Sequence, residues 1–126
     1  AVLQTIAGRF TAQFIHQRQI IFRQGDVGDR FYLIARGQVE VLVRDAHGAE
    51  QRIDTMSDGD YFGETALLQD APRNATIRTL TDSLLLILPK HTFLTLLDEL
   101  PDLRVAVDKQ IERTLENRAQ QQVDER

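Results

Sequence analysis

The sequence contains no cysteine and no long apolar run, and each absence excludes a class of protein. Without cysteine the chain forms no disulfide, no cysteine-ligated zinc site and no iron–sulfur cluster, and it is compatible with a reducing compartment. No apolar stretch approaches the ~20 residues that a membrane-spanning helix requires. The first residues also lack the basic and apolar regions of a signal peptide. We therefore expect a cytoplasmic location, either of a free protein or of the cytoplasmic part of a membrane protein.

Neither sign of charge dominates the sequence. Lysine and arginine number 15 against 19 aspartates and glutamates, which gives a net charge of −4, and the charges are interspersed. A surface that binds nucleic acid carries a concentrated basic excess, so we expect no direct nucleic-acid contact. The three histidines, His16, His47 and His91, do not have the paired spacing of a zinc site. The sequence therefore predicts neither a metal site nor a cofactor.

The length and composition are those of one ordinary globular domain. The 126 residues are 42% hydrophobic and 27% charged, which is enough to form one core. We assign residues 1–120 to a single domain and residues 121–126 to a polar tail. Because the chain begins at Ala1 rather than at methionine, we expect it to be a piece cut from a longer protein.

The spacing of apolar residues predicts a mainly β fold with flanking helices. Apolar positions three and four apart predict an N-terminal helix over Val2–Ile15. Three valines recur at every second position, which predicts a half-buried strand, and Ile53 is expected to point inward from its own strand; the valines are Val39, Val41 and Val43, and they alternate with Gln38, Glu40, Leu42 and Arg44. The predicted strands, separated by glycine and aspartate turns, are Ile20–Phe22, Phe31–Ala35, Val39–Val43, Glu50–Met56, Ala75–Thr79 and Leu84–Leu88.

After Leu88 the apolar period changes from that of strands to that of helices. One helix carries its apolar face from Phe93 to Leu100, and a second follows Pro101. The second helix has an apolar stripe that we interpret as a packing face, with a homodimer face as the alternative; the stripe consists of Leu103, Val107, Ile111 and Leu115. The predicted fold is an antiparallel β-roll, a jelly-roll-like barrel, with an N-terminal helix, a short helix in the middle and two C-terminal helices.

The stretch Phe62 to Thr79 departs from the strand pattern and carries the chemistry. Gly63 allows the backbone to approach a ligand closely, and the helical turn that follows presents free N–H groups that favour an anion. Arg73 adds a guanidinium suited to phosphate oxygens. Glu64 would repel a lone anion but accepts a hydrogen bond from a sugar hydroxyl. A ribose that bears its own cyclic phosphate combines both requirements.

Two ordered motifs give the sequence a resemblance to a known family. The segments Phe62–Glu64, Ala66–Leu68 and Pro72–Thr76 resemble the phosphate-binding cassette of the cyclic-nucleotide-binding domain family. The upstream segments Gln24–Ile34 and Gly37–Val41 resemble its glycine-marked turns. The resemblance extends from about Ile20 to Leu88 and includes the helical flanks.

The resemblance implies roles at matching positions. Arg73 would pair with the cyclic phosphate, and Glu64 would accept a hydrogen bond from the ribose 2′-hydroxyl. Asn74 follows Arg73, at a position where the residue type varies among relatives with the purine they select. Its side chain could bond a guanine edge or only cover the phosphate. We expect cyclic AMP in preference to cyclic GMP. The other predicted ligand-binding residues are Phe62, Gly63, Thr65, Ala66 and Ala75 around the phosphate and Val41 and Ile53 along the purine.

The sequence therefore predicts a non-catalytic regulatory domain that binds a cyclic nucleotide. The C-terminal helices would transmit binding to a covalently attached effector outside this chain, in a bacterial transporter, channel or regulator. A lid over the purine is expected from the last helix, with Arg104, Lys109, Ile111 and Arg113 as candidates. One alternative is an interaction module that lost its ligand, which the presence of Arg73 disfavours. Another is a cupin-type metal enzyme, which the absence of histidine from the predicted strands disfavours.

Overall fold

The computed structural model describes residues 9–110, which form eight strands and three helices. Helix α1 is Glu64–Gln69, helix α2 is Lys90–Glu99, and residues 101–110 are helical and are called α3. No helix within these residues is long and apolar enough to cross a membrane. The strands are β1 Thr11–Ile15, β2 Ile20–Phe22, β3 Arg30–Arg36, β4 Gln38–Arg44, β5 Glu50–Ser57, β6 Tyr61–Phe62, β7 Thr76–Thr79 and β8 Ser83–Pro89.

The strands form two four-stranded sheets in which every pair is antiparallel. One sheet has the order β1-β8-β3-β6, and we call it the helix-side sheet. The other has the order β2-β7-β4-β5, and we call it the pocket-side sheet. Because neighbours in each sheet are often distant in sequence, the chain crosses repeatedly between the sheets and winds them into a roll. The predicted fold class, a β-roll with flanking helices, is confirmed.

The two central strands of the helix-side sheet, β3 and β8, are buried on both faces over most of their length. On β3, Phe31 and Leu33 pack with α2 and α3, whereas Tyr32 and Ile34 point into the roll. Strand β8 alternates in the same way. Burial on both faces requires apolar residues at consecutive positions, and this explains the apolar run Leu85–Leu88, whereas Leu84 before it is 38% exposed.

The predicted N-terminal helix is wrong over Thr11–Ile15, which is strand β1. This strand pairs with β8 along its whole length, with Phe14 opposite Leu84. The helical spacing of Phe10 and Phe14 was misleading because hydrogen bonds to β8, some seventy residues away, decide the conformation here. The rest of the predicted helix, residues 2–8, lies outside the described residues.

The prediction of a half-buried β4 is also wrong. Val39, Val41 and Val43 face the inside of the roll as expected, but Glu40 and Leu42 on the other face are each only 4% exposed. Two arginines cover Glu40, and both come from neighbouring strands. A charged residue in a strand predicts an exposed face unless its partners on the neighbouring strands are known.

The apolar stripe of the last helix packs inward over its described part. Leu103 is 3% exposed and Val107 fully buried, in one cluster with Phe93 and Leu96 of α2. The packing-face interpretation is therefore confirmed for these two residues. Ile111 and Leu115 lie outside the described residues.

Candidate ligand pocket

A pocket opens between α1 and the pocket-side sheet, with about 460 Å³ of empty space including its open mouth. All ten residues predicted for the ligand site line it, while their individual roles stay predictions. Four further lining residues were not predicted. The complete lining is Phe22, Val41, Ile53, Met56, Phe62, Gly63, Glu64, Thr65, Ala66, Arg73, Asn74, Ala75, Ile77 and Gln110.

Gly63 lets the chain turn sharply from β6 into α1. Its φ of +93° is left-handed, a region that residues with a Cβ rarely adopt. A Cβ at this position would also lie 2.9 Å from Nη1 of Arg73 and 3.1 Å from the carbonyl oxygen of Arg30. Glycine is therefore required here both for the turn and for the close approach of the arginine.

The Arg73 guanidinium lies at the base of the pocket and is held by backbone carbonyls. Its Nη1 donates to the oxygen of Gly63 at 2.9 Å, and its Nη2 donates to the oxygen of Arg30 at 2.8 Å. The guanidinium carbon is 4.1 Å from the centre of the Phe22 ring, within range of a cation–π contact. Only 4% of the residue is exposed, and this desolvation lowers the pKa of the guanidinium. The arginine is thus a buried cation that gains from a nearby anion.

The turn between β2 and β3 fixes the backbone of Arg73. The Arg73 N–H donates to the Asp26 oxygen at 2.7 Å, and the Gly25 N–H donates to the Arg73 oxygen at 2.8 Å. At the other end of this turn the Lys90 N–H, at the start of α2, donates to the Asp29 oxygen at 2.9 Å. The upstream glycine-marked turn and the segment that resembles the phosphate-binding cassette therefore meet in space at Arg73.

Gly28 sits where the turn, α1 and Arg73 come closest together. A Cβ on Gly28 would lie 2.6 Å from the Cβ of Ala66 and 2.9 Å from Nε of Arg73. We expect Gly28→Ala to push α1 and the guanidinium apart and to destabilise the domain by about 1–3 kcal/mol, the usual cost of overpacking. The measurement is thermal unfolding without ligand. Val27→Ala is the matched control because Val27 is 90% exposed. Equal melting temperatures for both variants would contradict the expected clash.

Glu64 is the second buried charged residue of the pocket. It is 3% exposed, and its Oε2 atom has no hydrogen-bond partner within residues 9–110. Burial raises the pKa of this carboxyl to about 7, against the opposing effects of a hydrogen bond from its own backbone N–H and of the Arg73 charge. Arg73 also has a buried atom without a partner among the described residues, the donor Nε. Two residues that line one pocket therefore carry a buried acceptor and a buried donor that the described part of the chain leaves unsatisfied.

Apolar side chains form the wall opposite the charged residues. Val41 and Ile53 were predicted here, and Ile77 of β7 lies beside Val41 in the strand register. The alternation of Ala75, Ile77 and Thr79 in the predicted strand could have indicated that Ile77 lies on the same face as Ala75. Phe22 and Met56 had no such signal, because each is one apolar residue in an ordinary strand. The wall is suited to the flat apolar face of a base, next to a polar end suited to an anion and a hydroxyl.

Gln110 is the residue through which α3 lines the pocket. Its amide nitrogen donates to the Tyr61 oxygen at 3.3 Å. Of the predicted lid candidates, Arg104 and Lys109 are exposed and do not line the pocket, and Arg104 lies 3.4 Å from Asp108 on the same helix. Ile111 and Arg113 lie outside the described residues. Gln110 is a polar residue beside the predicted apolar stripe, and nothing in the sequence indicated that it would line the pocket.

The fold and the pocket define a β-roll with a candidate ligand pocket, and a comparison with known protein families identifies the family. A model described as the cyclic nucleotide-binding domain matches residues 12–99. The chain therefore belongs to the cyclic nucleotide-binding domain family, and the resemblance inferred from its motifs is confirmed.

Individual relatives include eukaryotic and bacterial proteins. The chain is 44% identical over 84 residues to a cAMP-dependent protein kinase regulatory subunit of Blastocladiella emersonii, covering 67% of this chain and 21% of that protein. The catabolite activator protein of Thermus thermophilus superposes with a TM-score of 0.83 at 28% identity, over 98% of this chain and 57% of that one. The cGMP-bound EAL enzyme Bd1971 superposes with a TM-score of 0.70 at 30% identity, over 88% of this chain and 29% of that one. The chain thus spans about a fifth of the kinase regulatory subunit.

Proposed function

We propose that this chain is a non-catalytic regulatory domain that binds cyclic AMP and passes the binding signal through α2 and α3 to an effector outside the chain. The observation that carries the proposal is a pair of buried atoms without a hydrogen-bond partner among residues 9–110, Oε2 of Glu64 and Nε of Arg73, on two residues that line one pocket. Buried polar groups without partners are costly. A ligand with both a hydroxyl donor and an anionic acceptor would supply partners for this end of the pocket.

The preference for cyclic AMP over cyclic GMP is part of the same proposal. The kinase regulatory subunit that is 44% identical is named for its dependence on cAMP. The EAL enzyme has been solved in both cGMP-bound and cAMP-bound forms, so its fold accepts either purine. In this chain the wall beside the base is apolar at Val41, Ile53 and Ile77, and these three side chains offer no partner for the 2-amino group that guanine has and adenine lacks.

Calorimetric titration of the chain with cyclic AMP, cyclic GMP and 5′-AMP tests the proposal. We expect saturable binding of cyclic AMP, weaker binding of cyclic GMP and the weakest binding of 5′-AMP, whose open phosphate does not have the shape of the ring. Absence of binding by both cyclic nucleotides would refute the function. Tighter binding of cyclic GMP would refute only the purine preference.

A further inference from the structure

A buried carboxylate with two partly exposed arginine partners lies on the outer face of the pocket-side sheet, away from the pocket. Glu40 of β4 is 4% exposed and receives two charged donors. Nε of Arg52 on β5 lies 3.0 Å from Oε1, and Nε of Arg78 on β7 lies 2.7 Å from Oε2. Each carboxylate oxygen therefore holds a different neighbouring strand. We call these three residues the outer clamp.

Each residue of the outer clamp directly precedes or follows a residue that lines the pocket. Successive side chains of a strand point to opposite faces of its sheet. The outer clamp and the apolar wall are thus the two faces of the same short piece of sheet. The neighbouring pairs are Glu40 and Val41 on β4, Arg52 and Ile53 on β5, and Ile77 and Arg78 on β7.

Strand β5 has an irregular register at this point. Val41 is paired with Asp54, but the next residue, Leu42, is paired with Arg52, so Ile53 is the extra residue of a β-bulge. A bulge re-aims side chains locally, and here it accompanies the placement of Ile53 in the pocket wall. A one-residue slip of a strand exchanges the residues on its two faces. Such a slip would bring Arg52 or Asp54 toward the apolar wall in place of Ile53.

The bond from Arg52 to Glu40 crosses this bulge. Glu40 is paired with Thr55 on one side of the irregularity, and Arg52 is paired with Leu42 on the other. The bond from Arg78 joins Glu40 to its direct cross-strand partner on β7. Both carboxylate oxygens are engaged, so one side chain links all three strands in addition to their backbone ladders.

We propose that Glu40 is a positioning residue for the base of the bound nucleotide. It would hold β4, β5 and β7 in register and thereby keep Val41, Ile53 and Ile77 in place on the opposite face. This inference rests on the proposed function. It assigns to the outer clamp an effect on the base and not on the sugar or phosphate, because Glu64 and Arg73 are held by α1 and by the turn between β2 and β3. A general contribution to stability alone would affect both parts of the ligand alike.

The test compares two probes on the intact chain, cyclic AMP and a ribose 3′,5′-cyclic phosphate that lacks the base. We expect Glu40→Gln to weaken cyclic AMP binding about fivefold to tenfold, as for loss of a coupled pair. Affinity for the base-free probe should change by less than about twofold. Arg52→Ala, which keeps the bond to Arg78, should give the same selective loss and serves as the second variant if Glu40→Gln folds poorly.

Leu96→Val is the matched control for stability, because Leu96 is fully buried in the helix-side cluster and does not line the pocket. Its thermal unfolding is compared with that of the clamp variants. Three outcomes would each overturn the positioning role. They are equal losses of affinity for the two probes, unchanged cyclic AMP affinity in both clamp variants, and the same selective loss in Leu96→Val. Failure of the wild type to bind cyclic AMP would instead refute the proposed function, and the role of Glu40 with it.

Discussion

Replacing Arg73 with alanine is expected to weaken cyclic AMP binding about tenfold to a few hundredfold. Hydrogen bonds to a charged group are worth about 1.5–3 kcal/mol, and that range converts to these factors. The loss should be large because the guanidinium is already desolvated and oriented in the free protein by Gly63 and Arg30. Little reorganisation is then needed when a phosphate arrives. The measurement is calorimetric titration of the variant beside the wild type.

Controls for Arg73→Ala separate binding from folding. The substitution also leaves the carbonyls of Gly63 and Arg30 without their donors, so circular dichroism and thermal unfolding must show a folded variant. Arg73→Lys keeps the charge but loses the planar fork, and we expect intermediate affinity. Arg23→Ala is the matched control, since Arg23 is exposed and does not line the pocket. Equal affinity for the wild type and a folded Arg73→Ala would contradict the assigned phosphate site.

Replacing Glu64 with glutamine is expected to stabilise the ligand-free domain at alkaline pH. Burial raises the pKa of Glu64 from its ordinary value of 4.5 to about 7. A carboxyl with a raised pKa favours the folded state fully below its unfolded pKa, and this contribution is lost as pH rises through about 7. The shift corresponds to about 3 kcal/mol between those limits. The neutral amide of Gln cannot ionise, so the variant lacks this loss.

The measurement is the free energy of unfolding of wild type and variant between pH 4 and pH 8, without ligand. The difference between them should grow in favour of Glu64→Gln as the pH rises from about 5 to about 8. Glu50→Gln is the matched control because Glu50 is exposed, and its difference from the wild type should stay small. A pH-independent difference for Glu64→Gln would show that the buried carboxyl does not titrate as described.

Local motifs made most of the pocket predictable from sequence. Gly63, Glu64 and Arg73 lie within eleven consecutive residues. This segment contains the turn after β6, helix α1 and the loop that leads into β7. The strands Phe31–Ala35 and Leu84–Leu88 were predictable because β-prone apolar residues end at turn residues. In each case the information lies within a few neighbouring positions.

Features decided by distant partners were not predictable. Strand β1 depends on its pairing with β8. The burial of Glu40 depends on Arg52 and Arg78, which are 12 and 38 residues away. Gln110 reaches the pocket only because α3 packs its apolar stripe on α2 and the helix-side sheet. A propensity or a periodicity describes a segment, but these three placements are properties of segments brought together by the fold.

The carbonyl groups of Asp29 and Arg30 are consecutive, and they hold two different parts of the molecule. The Asp29 oxygen anchors the first N–H of α2, and the Arg30 oxygen anchors the Arg73 guanidinium. We expect an anion that competes for the guanidinium to lengthen the second bond, and a rotation of the peptide unit between the two residues to alter the first. The route from the ligand to α2 would then be one peptide unit long.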